Sequence, residues 1–192
     1  MIFYATKKTV ETYKFQTIDQ MSEETLRFAK SLIGNEYGDP VFEWGCKIFY
    51  FDRRKCLQFV NFKTRFTVFI FDLKVADVKE IPNMLAQYLL ALYNDDPKMQ
   101  KALERYFEAS PFVCFDKISN RSIISKLNHN FSQLACDGYR FYDYIKNGVL
   151  HTMAINKDFN ECPFSTKESG KEEWYFPREY FAKTIKDRFG RD

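Results

Sequence analysis

Tyr50–Phe66, YFDRRKCLQFVNFKTRF, is the stretch whose reading decides the fold. It holds five cationic side chains among aromatics, and its apolar positions fall into short runs broken by polar residues. With its flanks it reads as three β-strands, about Cys46–Phe51, Cys56–Asn61 and Thr64–Phe71, in an antiparallel meander. Neither connection contains glycine, so the two-residue hairpin turns that rely on it are disfavoured. Asp52 and Asn61 stand where a type I turn takes an Asx acceptor. The loops are then Asp52-Arg53-Arg54-Lys55 and Asn61-Phe62-Lys63-Thr64.

Turn placement fixes register, and register decides which side chains share a face. These loops pair Phe51 with Cys56, Phe49 with Gln58, Val60 with Arg65 and Gln58 with Thr67. One face then carries Cys46, Ile48, Tyr50, Leu57, Phe59, Phe66, Val68 and Ile70, an apolar core face. The other carries Lys47, Phe49, Phe51, Cys56, Gln58, Val60, Arg65, Thr67, Phe69 and Phe71. Rings beside cations and amides are a platform on which bases stack and phosphates are neutralised. The same mixture suits a protein interface. The plainer reading has helices cover this face, with Lys47 and Arg65 snorkelling at its margin. Consecutive meander turns lie at opposite ends of the sheet, roughly 20 Å apart. That exceeds the Debye length of about 8 Å at physiological salt. Arg53, Arg54 and Lys55 therefore form one basic turn, and Lys63 and Arg65 another. Lys47, Phe49, Arg53, Arg54, Lys55, Gln58, Lys63 and Arg65 are the candidate binding residues.

Outward from the meander, MIFYA is a short β-type run closed by Thr6-Lys7-Lys8. SEETLRFAKSLIG is a helix with Ser22 as N-cap, Gly34 at its end and a stripe of Leu26, Ala29 and Ile33. IPNMLAQYLLALY places Leu85, Tyr88, Leu89 and Leu92 at helical spacing. DDPKMQKALERYFEA restarts with Asp96 as cap and Pro97 at the first helical position, which predicts a helical hairpin. PFVCF reads as a returning strand. NRSIISKLNHNFSQLA is helical, with Ile123, Ile124, Leu127, Phe131 and Leu134 on one side. GVLHTMAIN suits strand or helix, NKDFNECPFSTKESGKEE reads as a polar loop, and FPREYFAKTIKDRFG is a closing helix with Phe181, Ile185 and Phe189 aligned. The fold class is α+β: an antiparallel meander sheet packed with about five helices in one domain, 1–192. Residues 1–115 hold the sheet and helical hairpin, and 116–192 are mainly helical.

With 192 residues, 29% charged and 45% hydrophobic, the chain has the composition of a globular protein with a substantial core. A net charge of +3 is too small for a global polyanion binder, so only local clustering carries weight. Five cysteines (Cys46, Cys56, Cys114, Cys136, Cys162) with no CxxC pair and no secretory leader predict reduced thiols in a cytoplasmic protein. No apolar run approaches membrane-spanning length, so no membrane partner is expected. His129 and His151 lack neighbours at metal-ligand spacing, and no metal or other cofactor is expected. The doublets Glu23-Glu24, Asp95-Asp96 and Glu172-Glu173 diverge on helices rather than converge on a metal. There is no glycine-rich phosphate loop, GxSxG or HExxH, and no residue is assigned a catalytic role.

The chain resembles an uncharacterised bacterial family, domain of unknown function 6933. The matching residues are Thr6-Lys7-Lys8 after the first strand, Trp44 ahead of the meander, Arg53-Arg54-Lys55 at the first turn, and Asn61 with Thr64 at the second. The likeness covers roughly the first two-thirds, and the part from about Tyr139 matches nothing. Members look like small proteins of bacteria, plasmids and phages, and the family transfers no functional residue. The abundance of Phe, Tyr, Lys, Asn and Ile fits an AT-rich bacterial or phage source. The leading expectation is a binding protein of a mobile element. It would occlude a host protein or ribonucleoprotein, or its RNA, as counter-defence inhibitors such as anti-CRISPR proteins do. A ribonuclease using His151, Tyr and Lys is one rival. An oligomeric structural protein, dimerising through the aromatic sheet face, is another.

Overall fold

The computed structural model describes residues 1–34, 36–136, 141–168 and 171–190, without the side chains of 32–33, 134–136, 166–168 and 171–172. Its elements are β1 (Ile2–Ala5), α1 (Lys7–Tyr13), α2 (Glu23–Ile33), β2 (Glu43–Phe51), β3 (Arg54–Asn61) and β4 (Thr67–Ile70). There follow α3 (Ile81–Leu92), α4 (Pro97–Glu108), β5 (Cys114–Lys117), α5 (Arg121–Cys136) and a 3₁₀ turn at Phe141–Tyr144. The chain closes with β6 (Ile145–Lys146), β7 (Val149–Leu150), α6 (Thr152–Asn160), β8 (Phe164–Glu168), β9 (Lys171–Tyr175) and α7 (Pro177–Phe189). The class is α+β, as the sequence indicates. The sheet is mixed, however, with strand order β4-β3-β2-β1-β5: β1 runs parallel to both β2 and β5, and only β2-β3-β4 form the antiparallel meander.

Both meander turns differ from the sequence reading. The first is a two-residue loop, Asp52-Arg53, with φ of 52° and 63°. It has the φ signs of a primed hairpin turn, built without glycine. Asp is among the residues that enter this region most readily, and Asp52 also accepts a hydrogen bond from Tyr142 Oη at 3.1 Å. The second turn is longer than expected. Asn61 Oδ1 accepts from the Lys63 and Thr64 N–H groups at 3.1 and 3.0 Å, as an Asx turn requires. The chain then continues through Arg65 at φ 59° before Phe66 C=O accepts from Asn61 N–H. Phe51 thus faces Arg54, Phe49 faces Cys56, Lys47 faces Gln58, and Val60 faces Thr67. Each pairing is displaced by two residues. Because strand side chains alternate with period two, that displacement leaves every residue on the face assigned to it.

On the core face, α3, α4 and α7 bring Leu85, Leu89, Leu103, Phe181 and Ile185 against Leu57, Phe59, Phe66 and Val68. Trp44 is fully buried there, donating its indole N–H to Tyr106 Oη at 3.0 Å. The opposite face is covered in three patches. Residues of α2 and the turn before it lie over Ile2 and Cys114. Ile123 and Leu127 of α5 lie over Val60. Phe141 with Ile155 and Phe159 of α6 lie over Phe49, Cys56 and Phe69. α5 comes so close at Gly45 that a β-carbon there would stand 2.3 Å from Ile123 Cγ2.

The free edge of β4 is closed by side chains rather than by another strand. Asn156 Oδ1 accepts from Phe69 N–H at 2.6 Å while its amide donates to Phe69 C=O at 3.0 Å. Asn160 does the same to Thr67, at 2.8 and 2.6 Å. Four helical residues climb about 6 Å and two strand residues about 6.7 Å. Asparagines at i and i+4 therefore match alternate residues of a strand.

Other expectations hold with adjustments. Ser22 and Asp96 cap α2 and α4 by accepting from Thr25 and Met99 N–H. The PFVCF strand starts later, at Cys114. GVLHTMAIN divides between β7 and α6. The polar stretch before the last helix is the end of α6 plus the β8–β9 hairpin. The structure has seven α-helices among the described residues, against about five expected, because α1 and α6 are the two shortest, at 7 and 9 residues. The side chains of Ile33, Leu134, Cys136 and Glu172, and Tyr139 altogether, lie outside the described residues.

Asn156→Ala is expected to destabilise the protein by about 2–4 kcal/mol in urea unfolding, since the buried N–H and C=O of Phe69 both lose their partner. A change below about 0.5 kcal/mol, typical of an innocuous surface substitution, would refute this role. Gly45→Ala is expected to cost about 1–3 kcal/mol by forcing α5 off the sheet, read from the thermal midpoint.

Candidate nucleic-acid interface

β1 stops at Ala5, opposite Cys46, while β2 runs on to Phe51. Beyond Cys46 the β1 side of β2 is met by the start of α1. Thr6 N–H donates to Cys46 C=O at 3.0 Å, and Thr9 Oγ1 accepts from Ile48 N–H at 2.8 Å. The two threonine hydroxyls are themselves 2.7 Å apart. This docking holds Lys8 with its Nζ 5.4 Å from the centre of the Tyr50 ring. On the opposite face, Lys47 Nζ donates to Asn128 Oδ1 of α5 at 2.6 Å and lies 5.7 Å from the Phe131 ring. Tyr50 is 46% exposed and Phe131 39%. Two cations and two open rings thus flank one strand edge.

The electrostatics of Lys47 follow from this placement. Burial pushes the Lys47 ammonium below its usual pKa, and the positive charge of Lys8 pushes in the same direction. Among the described residues neither lysine forms an ion pair. Ion pairs form elsewhere, among them Arg54 with Asp72, Lys117 with Asp19, Arg178 with Glu161 and Lys186 with Asp96.

The sequence-derived residues divide between three places. Lys47 is in this site, and Lys55 lies directly across from Tyr50, with Arg53 exposed on the adjoining turn. Arg54 is held by Asp72 at 2.6 Å. Phe49 and Gln58 are covered, at 4% and 1% exposure, and Gln58 donates to Leu127 C=O at 2.7 Å. Phe141 and α6 cover Phe49 and α5 covers Gln58, so this part of the aromatic sheet face is core. Lys63 and Arg65 sit at the far end of β3, where Arg65 donates to Phe62 C=O and Ser122 Oγ. Tyr50, assigned to the core face, is on that face but open, because β1 is too short to bring cover to it. Lys8 and Phe131 were not identified from sequence as site residues. The signal for Lys8 was present in Thr6-Lys7-Lys8-Thr9, whose paired threonines dock α1.

His129 is exposed on α5, and His151 precedes the first turn of α6. Among the described residues no three His, Cys, Asp or Glu side chains are grouped to hold a metal ion, and no helix is long and apolar enough to cross a membrane. Cys46, Cys56 and Cys114 are free, buried thiols. A cleft of about 810 Å³ lies elsewhere, lined by Tyr93, Asp95, Asp96, Lys98, Glu161, Phe176, Arg178 and Glu179, with Arg178 paired to Glu161 and Lys186 to Asp96.

The structure is that of an α+β protein whose exposed strand edge carries paired cations and aromatics. The profile of the family described as Domain of unknown function (DUF6933) matches residues 2–180, and the chain belongs to that family. The likeness therefore continues beyond the first two-thirds, through the β8–β9 hairpin and into α7. No curated protein and no solved structure matches the chain.

Lys8→Ala is expected to raise the Lys47 pKa, because removing a like charge restores the preference for the ammonium form. Lysine ¹³Cε chemical shifts followed across alkaline pH measure this. An unchanged Lys47 titration would show that the two amines do not interact.

Proposed function

We propose that this protein is a non-catalytic RNA-binding protein acting by occlusion. In this reading it is a small cytoplasmic protein of a bacterial mobile element. It lays the Lys8–Lys47–Tyr50–Phe131 edge on the RNA of a nucleic-acid-handling host complex and so blocks that complex. The observation that carries the reading is that Lys8 and Lys47 each lie over an open ring, Tyr50 and Phe131, and that neither forms an ion pair among the described residues. An RNA backbone supplies the missing charge, and its bases supply faces for the rings. Lys55 and Arg53 extend the positive flank towards the first meander turn.

The test is fluorescence anisotropy with a labelled single-stranded RNA over a salt series. The wild type should show a log–log salt slope of about −1.4, the value for two phosphate contacts on a single strand. The Lys8→Glu/Lys47→Glu double variant should lose most of that slope and bind at least tenfold more weakly, by about 1.4 kcal/mol or more. Its circular dichroism and thermal midpoint should match the wild type. Undiminished RNA binding by a folded double variant would remove this reading.

A further inference from the structure

We propose that the cavity between the first meander turn and the β6–β7 hairpin binds a small zwitterion with an apolar side chain, that is, a free hydrophobic α-amino acid. The site is separate from the cationic edge and does not rest on the RNA-binding reading.

Its walls follow from strand alternation. Phe51 pairs with Arg54 and Phe49 with Cys56, so these two rows end the second face of the sheet beside the Asp52-Arg53 turn. Phe71 joins them, with its ring 6.1 Å from that of Phe51 and 5.8 Å from that of Phe49. Phe141 and α6 cover the Phe49 row. The hairpin takes over at the row beyond. Ile145 and Leu150 pair directly across it and so share one of its faces, while Lys146 and Val149 share the other and are exposed. Ile145 and Leu150 line a cavity of about 370 Å³ together with Phe51 and Phe71. Ligand pockets occupy about 300–1,000 Å³, so the occupant here is small. Cys56 is also on the wall. Burial pushes its thiol pKa up, so it serves as an apolar group and not as a nucleophile.

The rim carries charge of both signs, from Asp52, Arg54 and Asp72. Arg54 donates to Asp72 Oδ2 at 2.6 Å through one terminal nitrogen, and a guanidinium has five N–H groups, so donors remain. Asp52 accepts from Tyr142 Oη through Oδ1 at 3.1 Å, and a carboxylate has capacity for further donors. Thr152 Oγ1, on the same cavity, accepts from Tyr88 Oη at 3.2 Å and keeps its own hydrogen to donate. A simple anion would meet two carboxylates here, and a simple cation would meet the guanidinium. An α-amino acid carries both charges on one carbon and answers both. Its carboxylate takes the remaining Arg54 N–H groups, and its ammonium takes the open oxygens of Asp52 and Asp72. Its side chain enters among Phe51, Phe71, Ile145 and Leu150. Tyr142 and Arg54 hold the two carboxylates before any ligand arrives, which lowers the ordering cost of binding.

Methyl NMR of the full chain, titrated with L-leucine, L-phenylalanine, L-leucinamide and N-acetyl-L-leucine, tests this. Leucine and phenylalanine should shift the Ile145 and Leu150 methyl resonances saturably and leave Leu103, on the other face of the sheet, unmoved. Leucinamide lacks the carboxylate and N-acetyl-leucine the ammonium, so each should bind about tenfold more weakly or worse, as expected for loss of a charge-assisted contact. Arg54→Gln should weaken leucine binding about tenfold and leave leucinamide binding as it is. Asp52→Asn should weaken leucine binding and leave N-acetyl-leucine binding as it is. Arg54 is exposed, and asparagine accepts the left-handed φ of 52° at position 52, so both variants should keep the wild-type thermal midpoint. No saturable shift with either amino acid would overturn the proposal. So would blocked derivatives that bind as tightly as leucine, or folded variants that keep full affinity for it.

Discussion

The pairing of Asn156 and Asn160 with β4 is the interaction on which the rest of the architecture depends. β4 is an edge strand of only four residues, Thr67–Ile70, all of them buried. A buried strand with an unpaired edge would leave two N–H and two C=O groups in an apolar setting, each an appreciable penalty. The two side-chain amides present donor and acceptor at the right interval and so stand in for a neighbouring strand. That fixes α6, and α6 in turn sets Ile155 and Phe159 over Phe69 and closes the aromatic layer under Phe141. It also removes a template for unwanted strand addition. A helix here does the work that a sixth strand would do in a larger sheet.

Much of this was legible in the amino-acid sequence, for physical reasons that differ between elements. The meander and its two faces followed from period-two alternation, which is local and survives an error of two residues in register. The caps of α2 and α4 followed from Ser22 and Asp96, whose hydrogen bonds span three residues. The turn lengths did not follow, because a primed turn without glycine defies the usual preference and Asp52 is stabilised by Tyr142, far away in the chain. The parallel position of β1 beside β5 depends on contacts across most of the sequence. Asn156 and Asn160 looked like loop residues because their partners are backbone atoms of another element, which no composition pattern encodes.

The site was partly legible for the same reasons. A basic–aromatic surface was expected from the meander, and Lys47 and Lys55 do belong to one. The rest of the second face was wanted by the core instead: Phe49 and Gln58 lie under α5 and the Phe141–Tyr144 turn. The exposed rings come from an early end to β1 and from one turn of α5. β1 stops at Ala5 although β2 runs on to Phe51, because Thr6 turns the chain into α1. The sheet therefore leaves basic and aromatic side chains open at a margin, where cover runs out, and keeps its faces for packing.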